Sequence, residues 1–404
     1  MRREVMVSEL NETLIETYRY CKNINYSGWD PYDGLNSKVF QRSFFKKSAI
    51  ARIFWTQLFK HSPINFRQIM MVKEGQNPKG LALVLSSLCN ILGTSIAPPG
   101  SQIDREIRVE IINISDQLLQ LRSQNYKHFC WGYNFPWQSR ASYLPKWTPT
   151  IVCTAFVVDG LLSAYKVTLD KRYLDACISS TLFATNDLNK IETKSGVGFS
   201  YSPLDNRFVY NATLLGSRFL SAVSEVTQEK SLLTVAKSSI ESTREAFSYD
   251  GSFVYARESI SKWQDNFHTG FNLESLARYR TISGDTDYDK VIQLGTDYWL
   301  KNFFLKDGTC KYYNNKVYPL DIHCSSQVFP TLYYLGLSNK QILLQEKVYL
   351  QMIKTFYESS GNFRFQVKKQ FPIKIKYFRW GTAWAFYGMS YFLKARETKF
   401  NHLL

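Results

Sequence analysis

The 404 residues predict an all-α fold, an (α/α)6 toroid in which helical hairpins close into a ring. Three observations carry this. Aromatic, strand-like segments recur at 128–133, 198–201, 251–255, 308–313 and 361–365. Four of their glycines, Gly198, Gly251, Gly308 and Gly361, are spaced by 53, 57 and 53 residues. That length suits one helical hairpin with its connections, and near-fixed self-similarity marks a repeat architecture. After each segment comes a helix that is apolar or small on most sides, as buried helices are, and then an amphipathic one. Five such units are visible from residue 125, and the helices before residue 123 supply a sixth. The alternative arrangement of the same units is an open α-solenoid.

Residues 1–40 are mixed and polar, with turn signals at Ser27-Gly-Trp-Asp-Pro31 and Asp33-Gly34. Tyr26, Trp29 and Tyr32 predict that this stretch packs on the body. Residues 45–60 read as a helix, with Ala49, Ile50, Ile53, Phe54, Leu58 and Phe59 at helical spacing. Breaks follow at Pro63-Ile-Asn-Phe-Arg67 and Gln76-Asn-Pro-Lys-Gly80. A second helix spans 81–92, a loop 95–101, and a third helix 103–123. The third buries Ile107, Ile111, Ile112, Leu118, Leu119 and Leu121. From these, 1–124 is an N-terminal helical segment that completes the ring or caps it, and 125–404 is the toroid body. Inner helices start near Thr148, Asn211, Asp265, Asp321 and Arg379. Outer helices run over 171–189, 228–247, 287–304 and 339–357.

Hydrophobic residues make up 45% and aromatics 16% of the chain, enough for a large core, and the formal charge is +16. Such basicity either solvates a surface or meets an anionic partner. The cations are scattered, with small clusters over 42–47 and 368–376, and no nucleic-acid partner is predicted. Seven cysteines, odd in number, widely spaced and without Cys-x-x-Cys, read as reduced thiols of a cytoplasmic protein. There is no signal-peptide pattern and no uninterrupted apolar run of about 18 residues, so no membrane span is expected. Phosphate-loop, dinucleotide and His-Glu-x-x-His motifs are missing. Asp321, His323 and Cys324 lack a further ligand for zinc. No metal or cofactor is predicted.

In such a ring the loops before the inner helices converge at one end. That brings together Trp131, Tyr133, Asn134, Trp137, Gln138, Ser139 and Arg140; Tyr201, Ser202, Asp205 and Asn211; Trp263, Asp265, Asn266 and His268; Lys311, Tyr312, Asp321, His323 and Gln327; and Arg379, Trp380 and Trp384. Five of nine tryptophans and two of five histidines fall here. Aromatic faces beside amides and carboxylates suit a sugar ring. An isoprenoid chain would not need so many polar neighbours. Each residue also has a plainer role: Asp265 and Asp321 as helix caps, His268 and His323 as core histidines, Trp137 and Trp384 as packing between repeats, Arg140 and Arg379 as loop bridges. The polar excess at the same place in every unit favours function.

Two chemistries fit. Glycoside hydrolysis needs two carboxyl groups; Asp265 and Asp321 are the pair, with Asp205 in reserve. Lyase or epimerase chemistry removes a proton beside a uronate carboxylate. It needs a base such as His268 or His323, a tyrosine such as Tyr201 or Tyr312, and cations such as Arg140 or Arg379. A third reading is non-catalytic: binding of a saccharide, or scaffolding.

Several strings resemble one family. Trp131-Gly-Tyr-Asn-Phe-Pro-Trp-Gln-Ser-Arg140, Phe199-Ser-Tyr-Ser-Pro-Leu-Asp205, Asp265-Asn-Phe-His-Thr-Gly270, Tyr318-Pro-Leu-Asp-Ile-His323 and Arg379-Trp-Gly381 look like the signature segments of the VpsJ-like proteins. Ser62-Pro-Ile-Asn-Phe-Arg67 and Asn77-Pro-Lys-Gly80 look like that family's N-terminal segments. These bacterial and archaeal proteins are found with polysaccharide-biosynthesis genes. The resemblance covers nearly the whole chain. It implies a toroid related in architecture to six-hairpin glycosidases, and a place in exopolysaccharide, capsule or lipopolysaccharide assembly. It supplies no catalytic assignments. Cys324 stands where a small residue is expected. Apart from the resemblance, the expected partners are a saccharide, acidic in view of the net charge, and a membrane or assembly machinery met peripherally by the basic face.

Overall fold

The structure is a computed structural model that describes residues 2–139, 142–258, 262–336 and 338–400. Its helices start where the chain supplies caps. The Asn77 side chain accepts the Lys79 N–H, and Pro78 takes the first-turn position that needs no donor. The resulting helix, Pro78–Ile91, is buried along nearly its whole length. Thr150, Asp265 and Asp321 cap later helices in the same way.

In chain order the helices are α1 (Arg2–Asn23), α2 (Lys38–Arg42), α3 (Ala49–His61), α4 (Pro78–Ile91), α5 (Gln102–Gln120), α6 (Ile151–Thr168), α7 (Lys171–Leu182), α8 (Tyr210–Thr227), α9 (Ser231–Ser242), α10 (Asn266–Ser283), α11 (Asp289–Asn302), α12 (Ile322–Ser326), α13 (Val328–Leu335), α14 (Asn339–Phe356) and α15 (Ala383–Phe400). Helices α4, α6, α8, α10, the α12–α13 pair and α15 pack each on the next, and α15 returns to α4. The inner ring therefore closes, which makes the fold the predicted (α/α)6 toroid and not an open solenoid. Helices α5, α7, α9, α11 and α14 lie outside their partners, and α1 packs outside α15. Helix α6 is long and apolar enough to cross a membrane by length and composition, but it is a mostly buried ring helix.

The repeat joints explain the glycine spacing. After an outer helix the chain folds back through one antiparallel bridge: Phe247 with Phe253, Phe304 with Cys310, Tyr357 with Phe363. Only Val197–Phe199 extends into a strand of any length among the predicted aromatic segments. Gly251, Gly308 and Gly361 all turn with positive φ against the backbone of the next outer helix. At Gly361, whose φ is +80°, a Cβ would stand 2.3 Å from the Glu16 carbonyl oxygen of α1. Only glycine fits both the dihedral and the gap.

Three differences from the sequence reading follow from period and packing. Residues 2–23, read as mixed and polar, form a helix that buries Met6, Leu10, Leu14, Tyr18 and Cys21 on one stripe. On α5 the buried stripe runs through Ile114, while Ile112 faces out. Helix α3 lies outside the ring, in an excursion between Trp29 and Gln76, and several of its predicted core residues are exposed.

Candidate functional site

The N-termini of the inner helices gather at one end of the ring, and each brings a polar side chain. At α10, Asp265 caps the helix. Its Oδ1 accepts the His268 backbone N–H at 3.0 Å, and its Oδ2 accepts Trp263 Nε1 at 3.0 Å and His268 Nδ1 at 2.7 Å. Facing a carboxylate oxygen, Nδ1 is the ring nitrogen of His268 placed to donate, which makes Nε2 the one placed to accept. The His268 side chain is 20% exposed, unlike the fully buried His323.

At α12, Asp321 Oδ1 accepts the His323 N–H at 3.0 Å and Trp380 Nε1 at 3.2 Å, and Oδ2 accepts Gln366 Nε2 at 2.9 Å. Burial pushes the Asp321 carboxyl up to about 6, against the pull of these donors. The His323 ring stacks on Phe267 at 4.1 Å, with Trp384 at 3.8 Å and the edge of Trp380 at 5.2 Å. It is fully buried, yet neither ring nitrogen bonds to another residue. Burial, and after it the nearby Lys79, His268 and Arg379, hold its pKa well below the usual range, so the ring is neutral. A buried imidazole without partners costs about 1–3 kcal/mol, and such groups in folded proteins generally have a reason. Phe267 also sits 4.1 Å from His268, so both imidazoles contact one phenyl ring.

Lys79, in the first turn of α4, points its Nζ at the Phe156 ring, 4.1 Å away, with the Trp384 and Phe271 rings at 5.2 and 5.6 Å. Burial drives its pKa well below the ordinary lysine value. Arg379 makes a two-point bond to Asp30, at 2.6 and 2.9 Å, and lies over Tyr133 and Trp380. Asp30 belongs to the excursion that carries α2 and α3, so this buried pair latches the excursion to the ring mouth. Asp33 and Arg67 brace the latch at 2.7 Å, and burial raises the Asp33 carboxyl to about 7 despite the guanidinium. Above the mouth, Lys60 of α3 covers the Tyr32 ring, which leans on Trp380.

A second wall is aromatic. Tyr255 stacks on Trp263 at 4.6 Å and 17° and meets the His268 ring edge-on. Trp137 packs on Tyr201, and Arg207 lies 5.7 Å over both, with Nε and Nη1 unbonded. Asp205 holds that turn by accepting the Arg207 N–H and the Ser202 hydroxyl. This wall thus sets aromatic faces beside a guanidinium that has two buried, unbonded nitrogens.

The ring axis deeper down is closed by charge. Arg218 bonds Glu274 at 2.9 Å and Asp159 at 2.6 Å, and Arg278 reaches Asp159 at 2.9 Å. Gln327 Nε2 donates to Glu274 Oε2. These groups come from α6, α8 and α10 and the start of α13, and they brace the ring floor.

The structure thus brings His268, His323, Asp265, Asp321, Tyr133, Tyr201, Trp263, Tyr312, Arg379 and Trp380 into one region. Other predicted residues have different surroundings. Trp131 is in the packed core and donates to the Leu118 carbonyl. Asn134 ties the excursion to the ring through Asn77 and Asn36. Gln138 bonds the Ser139 and Ser142 carbonyls and accepts from Arg52. Asn266 spans a repeat joint between Lys311 and Trp299. Asn211 is buried in the first turn of α8, with Oδ1 unbonded. Arg140 lies outside the described residues. Lys79, Arg207, Tyr255, Phe267 and Asp30 were not singled out. For Lys79 the signal was present, since it stands in the polar string that opens α4, as His268 does for α10. Among the described residues no group of three or more His, Cys, Asp or Glu side chains is placed to hold a metal ion.

Solved structures share this architecture. One is a cellobiose 2-epimerase from Bacillus thermoamylovorans B4167, with a TM-score of 0.61 and 14% identity over 80% of this chain and 88% of that one. A GH76 α-mannanase from Bacteroides thetaiotaomicron matches with a TM-score of 0.57 and 13% identity, over 81% and 87%. An unsaturated glucuronyl hydrolase specific for heparin matches with 0.57 and 12%, over 82% and 88%. At these identities the likeness establishes the class of fold, the six-hairpin toroid, and nothing finer. No family model matches the sequence, and no curated protein does.

Proposed function

We propose that the protein is a saccharide epimerase, moving a proton at a sugar carbon beside a carbonyl or carboxylate group. The observation that carries this is the pair of imidazoles that both contact Phe267, one aimed by a carboxylate and the other buried, neutral and unbonded. His268 Nε2 takes the C–H proton, and the Asp265 carboxylate stabilises the imidazolium that forms. The electron pair moves onto the neighbouring oxygen. There a neutral His323 N–H, with Lys79 nearby, holds the developing charge. Water delivers a proton to the opposite face of the carbon, the electron pair on the oxygen returns to re-form the carbonyl, and His268 passes the proton it took to solvent, which completes the inversion. Trp263 and Tyr255 bind the sugar faces, and Arg207 suits a uronate. The cellobiose 2-epimerase and the glucuronyl hydrolase among the structural neighbours are named for saccharide chemistry, which supports the substrate class.

The setting proposed is surface-polysaccharide production in the cytoplasm. It rests on the VpsJ-like resemblance, and the seven free cysteines agree with it. A second reading, glycoside hydrolysis, is favoured by one observation: a carboxyl raised to about 6 at Asp321 suits a general acid. Against it, both Asp321 oxygens already accept side-chain bonds.

The test is incubation with neutral and acidic oligosaccharides in D2O, followed by NMR for deuterium at the labile carbon and for the epimer. Exchange is expected with wild type and lost in His268→Ala and in His323→Ala. If a sugar raises the melting temperature but neither exchanges nor epimerises, or if both variants still exchange, the proposal fails. New reducing ends would instead establish hydrolysis.

A further inference from the structure

The excursion that covers the mouth carries a surface that the saccharide chemistry does not use. Helix α3 is apolar on two sides. Its inner side is anchored: Thr56 and Phe59 are buried, and Trp55 stacks on Phe40 at 5.0 Å and donates to the Gly34 carbonyl. Its outer side presents Ile50, Phe54 and Leu58, four residues apart on one stripe, with Ile50 81% and Phe54 66% exposed. Just before the helix, Phe44 and Phe45 pack ring to ring at 4.1 Å and are 78% and 53% exposed. These two adjacent phenylalanines lie on a short 3-10 turn over 44–47 that has no buried residue.

The charge around this patch has one sign. From Gly34 to Lys73 there is no Asp or Glu, while eight Lys and Arg occur. Arg42, Lys46 and Lys47 are exposed beside the phenylalanine pair. A short interfacial helix with aromatic and aliphatic side chains on one face, ringed by cations, matches the chemistry of an anionic lipid surface.

We infer that Phe44, Phe45, Ile50 and Phe54 insert into the headgroup region of an anionic bilayer, with Arg42, Lys46 and Lys47 on its phosphates. The same excursion is fixed to the mouth through Asp30, Lys60 and the Arg52–Gln138 bond at 2.7 Å. Docking therefore holds the mouth of the ring close to the lipid. This inference stands whether or not the site is an epimerase.

The test is co-sedimentation of the full chain with phosphatidylcholine vesicles, with and without phosphatidylglycerol, at low and high salt. Wild type is expected to pellet with the anionic vesicles and to be released by salt. Lys46→Glu/Lys47→Glu should weaken binding by at least about 25-fold, each cation near the surface being worth roughly fivefold. Phe44→Ser/Phe45→Ser should weaken it by about tenfold or more. Both variants change exposed side chains only, so their melting temperatures should match wild type, which separates lost docking from misfolding. Wild type remaining in the supernatant, or binding that neither variant weakens, overturns the inference. So does a wild-type dimer that Phe44→Ser/Phe45→Ser converts to monomer, because the patch would then be a contact between copies.

Discussion

Asp321 ties the site to the stability of the whole fold, and the tie has a sign. Its carboxyl is buried and raised from an ordinary 3.8 to about 6 in the folded protein. The folded state therefore prefers the protonated form more than the unfolded chain does. The destabilisation this causes is absent below pH 3.8, grows as the pH rises toward 6, and is constant above that. A difference of about two pH units corresponds to about 3 kcal/mol at neutral pH. Asn caps helices as well as Asp does, and its side-chain oxygen still accepts from the His323 N–H. Asp321→Asn should thus be more stable than wild type by about 3 kcal/mol at pH 8 and by less than about 1 kcal/mol at pH 4. For a chain of this length that is about 3–4 °C in melting temperature at the higher pH. Paired thermal melts across pH 4–8 check this, and other titrating groups cancel between the two proteins. A gain that does not change with pH refutes the argument. A loss that deepens at high pH refutes it more strongly, since it would mean that the three donors on Asp321 outweigh its burial.

Other outcomes follow from the same geometry. Arg379→Met leaves Asp30 buried with only a backbone N–H, from Tyr32, and should cost about 3 kcal/mol. Adding Asp30→Asn should return most of it, measured by denaturant unfolding. Asp265→Asn removes the charge that aims and stabilises His268. It should cut exchange roughly 100-fold or more, with a shifted pH profile and little change in sugar affinity by thermal shift. Gly361→Ala meets the Glu16 carbonyl at 2.3 Å and should cost more than about 3 kcal/mol. Gly284→Ala has a similar φ of +72° in open surroundings and should cost only about 1 kcal/mol. Equal losses at the two glycines would remove the joint as an explanation.

The hairpin ring was legible because its signals are local and repeated. Asp265 and Asp321 announce helix starts, and the glycines mark joints that no other residue fits. Helix α1 was not legible, because its buried stripe of every fourth residue is diluted by charged neighbours and its partner lies at the other end of the chain. Helix α3 shows the opposite error. Its apolar spacing predicted burial, but periodicity reports a helix face and not what covers it. The site was legible as a region, since loops before inner helices must converge. Individual roles were not. His323 and Gln327 lie four residues apart on the same stretch, and only packing decides that one is unbonded beside Phe267 while the other braces the floor through Glu274. Arg207 was missed because a lone arginine after a turn carries no pattern. Its position over Trp137 and Tyr201 depends on Asp205 holding the loop.

The contact of α1 with the last repeat makes the order of synthesis matter. Tyr357 donates to Glu16 across 341 positions of chain, and Gly361 rests on the same turn of α1. Helix α1 is made long before α15 and is thus among the last helices of this ring to find its place. Until α15 is made, Met6, Leu10 and Leu14 have no ring to cover them, and α4 lacks one of its two inner neighbours. A nascent chain holding every unit but the last is an open arc with two sticky ends, a natural client for a chaperone. The same adjacency means that the cut in the circle can be moved. A permuted gene that joins α15 to α1 and opens at an outer loop, such as the one between α8 and α9, would encode the same ring with a different helix waiting.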